Sequence, residues 1–105
     1  ISFVIEEFEI VKVYAPNDPW VYAQLAYGWK ELKMSEKEIE AYETIISLRP
    51  GDLDSLFYLG TLYFSSGYNA KGLQIYEDLR KLDERKAMEL IGYYGKSYGN
   101  ERTDG

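Results

Sequence analysis

Apolar positions in the chain return in phase every 34 residues: Leu25 is answered by Leu59, Trp29 by Tyr63, Tyr42 by Tyr76 and Leu48 by Leu82. The same step taken backwards leads from Tyr42 to Phe8, Ile45 to Val11, Ile39 to Ile5 and Pro50 to Pro16, and carries Asp52 onto Asp18. A fixed period of that length marks stacked helical hairpins, each of which buries its apolar face only against its neighbours. Residues 1–15 are the one stretch where two patterns compete. Their β-branched and aromatic residues favour a strand by propensity, but Ile1, Val4, Ile5, Phe8 and Val11 recur at three and four residues, with Glu6, Glu7, Glu9 and Lys12 mostly elsewhere. That spacing, in phase with two later stretches, predicts a helix.

Punctuation divides the rest. After Pro16-Asn17, Asp18 can cap a helix that Pro19 opens, and the pattern runs to about Leu32. Ser35 and Glu38 read as a capping box for a helix to about Leu48, closed by Arg49-Pro50-Gly51. Asp52 starts another, to about Ser66, which Gly67 stops in the left-handed conformation. Asn69 is expected to cap the next, to about Leu82, and Asp83 to open a last helix through about Tyr98, before Gly99. The step from Pro50 lands on Glu84, so this final elbow is predicted to be less sharply defined.

On these residues the sequence resembles the tetratricopeptide repeat, with its aromatic, Leu-Gly and Tyr on one helix and Ala, Phe and a terminal Pro on the next. Leu56, Leu59, Gly60, Tyr63, Gly72 and Tyr76 stand at the pattern's spacings in one copy, and Tyr22, Leu25, Ala26, Trp29, Tyr42 and Pro50 in the other. Ala26, Gly60 and Gly72 suit close helix approach, whereas Glu38 departs from the small residue the pattern prefers. The resemblance implies an all-α fold, a right-handed helical-hairpin solenoid of about six antiparallel helices. Its expected organisation is a tetratricopeptide-like domain over 1–99: a lone second helix at 1–15, full repeats at about 19–49 and 53–82, a capping helix at about 84–98, and a frayed tail at 100–105.

Composition narrows the job. A formal charge of -6 and a pI near 4.6 repel phosphate backbones and anionic lipid, so nucleic acid is an unfavoured partner and a basic peptide a better one. With no Cys and no His, thiolate chemistry, the commonest general base and the commonest metal ligand are missing. No apolar run reaches the roughly 20 residues that cross a bilayer, and membrane insertion is not expected. A signal peptide is not evident, and a cytoplasmic location is favoured. The chain opens at Ile1 without a Met, which fits a piece of a longer protein. The acidic groups Glu6, Glu7, Glu9 and Glu36, Glu38, Glu40, Glu43 read as solvated helix faces, and no glycine-rich phosphate loop follows a strand. No catalytic residue, metal site or cofactor is therefore assigned, and an enzyme is not expected.

What remains is a surplus of aromatics, eleven Tyr, four Phe and two Trp. The resemblance implies that first helices line an inner wall where partner peptides lie, and by matching positions it carries Trp20, Gln24, Tyr27, Lys30 and Glu31 to that wall. Asp54, Phe57, Tyr58, Thr61 and Phe64 follow from the next repeat, and Tyr98 from the last helix. The Lys, Arg and Asn with which some relatives clamp acidic chaperone tails are replaced at matching positions by Ala23, Tyr27, Tyr58, Met88 and Gly92. Rings outside the core mark interfaces because they bury a large area at low entropic cost. The expected function is a non-enzymatic protein–protein interaction scaffold gripping a peptide or helix with apolar anchors and a basic flank. The alternatives are self-association as a homo-oligomer, through Ile1, Val4, Ile5, Phe8 and Val11 on the one-sided first helix, and a regulatory fragment of a larger protein.

Overall fold

The computed structural model describes residues 1–94, and among these it contains six α-helices and no strand. The chain divides into two compact units, Ile1–Asp52 and Leu53–Gly105. The first holds α1 (Ser2–Tyr14), α2 (Pro19–Glu31) and α3 (Ser35–Leu48); the second holds α4 (Leu53–Ser65), α5 (Asn69–Leu82) and α6 (Glu84–Tyr94). Strand propensity in residues 1–15 is overridden because helical phase lets Ile5 and Phe8 join the core beside α2. The end expected for the last helix at Tyr98, and the tail at 100–105, lie outside the described residues.

The period is carried by the backbone as well as by the side chains. α4 starts and stops 34 residues after α2, and α5 does so after α3. Where α1, α3 and α5 end, Ala15 N–H donates to the Val11 carbonyl at 2.9 Å, Arg49 to Ile45 at 2.7 Å and Asp83 to Leu79 at 2.7 Å. In the hairpin turns, Met34 N–H reaches the Trp29 carbonyl at 2.9 Å and Tyr68 N–H that of Tyr63 at 2.8 Å. Both bonds span a residue in the left-handed region, Gly67 at φ 87° and Lys33 at φ 60°. Gly67 is the residue expected there. Lys33 makes the same turn against a cost of about 1 kcal/mol, which the flanking bonds offset.

The helix starts follow the sequence in part. Asp18 Oδ1 accepts from Trp20 N–H at 3.0 Å with Pro19 in the first turn, as its position predicts. Asp83 Oδ1 likewise accepts from Lys86 N–H at 3.0 Å. The capping box does not form: Met34 occupies the cap position of α3 with no side-chain bond, and the Glu38 side chain is buried instead. Asn69 is the first residue inside α5, Tyr68 holds the cap position, and Asn69 Oδ1 is buried without a hydrogen-bond partner among the described residues. Nor is the elbow after α5 ill-defined. Asp83 alone, with extended backbone at φ -156° and ψ 98°, separates the two helices and caps the second.

Each unit has its own core. In the first, α2 packs against both α1 and α3. Ile5, Val21 and Leu25 form a buried cluster flanked by Phe8, Ala15, Tyr22 and Trp29, and α3 adds Ile39, Ala41 and Ile45. Ile5 seats on Gly28, where an added Cβ would stand 2.7 Å from Ile5 Cγ1. In the second, all three helices touch one another around Leu56, Leu59, Phe64, Leu79 and Leu90. Gly60 makes the room its place in the pattern predicts, since a Cβ there would meet Leu90 Cδ2 at 2.6 Å and Ile75 Cγ2 at 3.2 Å.

Candidate functional site

On α2, four of the residues assigned to the wall are open to solvent: Trp20, Tyr27, Lys30 and Glu31. Gln24 is half-buried. Tyr27 exposes 55% of its surface, whereas Trp20 meets Phe8 edge to face with centroids 5.4 Å apart. That contact belongs to the packing of α1 and α2, so Trp20 is a partly engaged ring. Lys30 has a second task. Burial raises the Glu38 carboxyl above its usual range, and the positive charge of Lys30 opposes that rise.

On α4 the assigned residues separate. Asp54 and Tyr58 are exposed, and Phe57 is half-buried and meets Tyr58 edge to face at 6.1 Å. Lys86 of α6 joins them, its Nζ 3.5 Å from Asp54 Oδ1 and 5.4 Å from the Phe57 ring centre. The basic flank expected of a ligand is thus matched by a Lys of the chain itself. Thr61 Oγ1 donates to the Tyr58 carbonyl at 2.8 Å, which satisfies the hydroxyl within its own helix.

Phe64 is not a wall residue. It is fully buried at 0% exposure, stacked on Tyr94 at 4.4 Å and 27°, with its ring filling the space that Gly72 leaves open. Position matching misassigned it because the residue one period earlier is Lys30, which is exposed. The clue was Gly72 itself, since a gap at a glycine is filled by something large. Tyr98 lies outside the described residues.

The residues proposed for self-association also divide. Ile5 is 6% exposed and Phe8 half-buried, both against the core beside α2, while Ile1 and Val11 are open and Val4 is half-buried. α2 covers part of that stripe, and Ile5 cannot serve an outside partner.

Sequence reasoning missed three features. Lys86 bridges α6 to α4 at a separation that leaves no local pattern. Lys71 sits near two rings, Nζ 5.8 Å from the Tyr63 centre and 5.5 Å from that of Tyr68. A shallow groove also opens in the first unit, floored by Tyr22, Leu25 and Trp29, with Glu9 and Lys12 on one rim and Lys37 and Glu40 on the other. Glu9 and Lys12 pair at 3.0 Å, and Tyr22 donates to the Pro16 carbonyl at 2.7 Å. Among the described residues no cluster of three or more acidic groups could hold a metal ion, and no helix is long and apolar enough to cross a membrane.

No family model matches the chain. It is similar to Protein CTR9 homolog of Arabidopsis thaliana, 30% identical over 80 residues. The match takes in 72% of this chain but 7% of that protein, so the chain spans a small part of the relative's length. This similarity and the six helices are compatible with a tetratricopeptide-like repeat.

Proposed function

We propose that the chain is a non-enzymatic protein-interaction module of tetratricopeptide-like, right-handed solenoid architecture, with α2/α3 and α4/α5 as its full repeats. In the first unit Tyr27 takes an apolar anchor of a peptide or helix and Glu31 favours Lys or Arg beside it; in the second, Tyr58 and Asp54 offer the same chemistry. The observation that carries this reading is the contrast among the aromatics. Tyr63, which the repeat pattern assigns to packing, is buried, while Tyr27 and Tyr58, which it does not, are more than half exposed on the first helix of each pair. Exposed tyrosines with acidic neighbours suit a ligand that is apolar and basic together.

Selection from a random peptide display library tests the reading without a known partner. Enriched peptides are expected to carry an aromatic or large aliphatic residue near Lys or Arg. Tyr27→Ala or Tyr58→Ala should weaken them by about 1 to 3 kcal/mol with the melting temperature nearly unchanged. Enrichment without basic residues, or binding indifferent to both substitutions, overturns the proposal.

A further inference from the structure

α1 is apolar on two sides, and only one of them is covered. Ile5 and Phe8 pack beside α2; Phe3 and Ile10 stand two residues before and after them, about 200° round the helix. Val13 and Tyr14 follow Ile10 by three and four residues, which places both on the same outward side. These four side chains are 61% to 83% exposed, the largest value at Tyr14. Four large apolar side chains in open water on one side of a helix mark an interaction site.

Charge selects the occupant. Glu6 and Glu7 lie between Phe3 and Ile10 on this outward side, and both are exposed. The cation of α1 is Lys12, already 3.0 Å from Glu9. A second copy docking in parallel would set its own Glu6 and Glu7 against this pair, and in antiparallel register about one turn from it, with four carboxylates losing water on a side whose side chains supply no cation. We propose that the outward face of α1 docks an amphipathic helix of another protein, one whose apolar stripe covers Phe3, Ile10, Val13 and Tyr14 and whose Lys or Arg residues meet Glu6 and Glu7. This surface does not include Tyr27 of α2.

The test titrates the full chain with two synthetic helical peptides of one Leu pattern, with Lys at the polar positions in one and Glu in the other, read by fluorescence anisotropy. The Lys peptide is expected to bind and the Glu peptide not. Ile10→Ser and Tyr14→Ser remove apolar surface at constant charge, and each should weaken the Lys peptide about tenfold, as loss of an anchor does. Both positions are exposed, so circular dichroism should be unchanged. Tyr27→Ala should leave this binding intact. Equal binding of the two peptides, binding of neither, or Lys-peptide affinity untouched by the Ser variants overturns the proposal. So does loss on Tyr27→Ala alone, or sedimentation showing a self-dimer that Ile10→Ser dissolves.

Discussion

One period apart, the two helical hairpins are closed by opposite chemistry. In the second unit Phe64 of α4 lies over Gly72 of α5, a ring filling the space beside a residue without a Cβ. In the first unit the equivalent positions hold Lys30 and Glu38, an exposed cation and a buried carboxyl. Ring on glycine is a transfer term, about 1.5 to 3 kcal/mol for a fully buried side chain of this kind. The charged pair sets one Coulombic attraction against the dehydration of Glu38, and the raised carboxyl pKa shows that dehydration is the larger effect. The repeat therefore specifies where helices meet, while the pair at the meeting point decides how much that contact contributes.

Truncating the ring should have the largest effect. Phe64→Ala is expected to cost about 3 to 5 kcal/mol of stability in urea denaturation, whereas Lys30→Ala, one period earlier, should cost about 1 kcal/mol or less. Similar losses from the two would show that the contrast between the hairpins is not energetic.

Alanine at the partner positions should change stability in opposite directions. Gly72→Ala pushes a Cβ into the Phe64 ring, at a cost of about 1 to 3 kcal/mol that exceeds the gain in helix propensity of about 1 kcal/mol. Glu38→Ala removes a poorly solvated carboxylate and restores the small residue of the repeat, a gain of roughly 0.5 to 2 kcal/mol. Thermal melts of both variants check this, and a loss at both positions would count against it.

The pH dependence sharpens the same point. In the folded chain Glu38 titrates above its ordinary value of 4.5, so the unfolded chain gives up this proton more readily than the folded one. The stability tied to the protonated carboxyl is fully present below about pH 4.5 and is lost as pH rises through the raised folded value. Glu38→Gln should therefore be more stable than the parent at pH 7, and the difference should shrink on acidification. A constant difference across that window would place the Glu38 carboxyl in water.

Much of this framework is legible in the residues. Period, Pro19, Gly67 and the aspartates at 18 and 83 place the helices because each acts locally, through a fixed φ, a permitted left-handed turn or a side-chain bond one turn away. What escapes is everything decided across helices. Glu38 reads as a cap from its spacing to Ser35, yet packing of α3 buries it. Phe64 reads as a wall residue from its position, yet Gly72 makes it core. The apolar stripe chosen on α1 is real, but α2 covers part of it, and the free face is the one through Phe3 and Ile10. Of the residues assigned to a wall, Tyr27 and Tyr58 stand exposed, while the Lys that approaches Asp54 lies 32 residues further along, at position 86.

That lysine supplies the smallest effect on stability and the finest difference between the units. Tyr27 in the first unit is open, while Phe57 and Asp54 in the second are already met by the charge of Lys86. A basic ligand using Asp54 and Phe57 has to displace this internal cation. Lys86→Met keeps the aliphatic stem and removes the charge, so the fold should change by no more than about 1 kcal/mol, the usual scale of an exposed ion pair or cation–π contact. Ligand affinity should instead rise about two- to fivefold, the same free energy read as binding. Tyr27→Ala in that background should weaken the ligand as it does in the parent, because Lys86 lies on the second unit. Isothermal titration of parent, Lys86→Met and the double variant with one selected basic peptide decides it. If Lys86→Met weakens that peptide, Lys86 orders the Phe57 surface rather than competing for it.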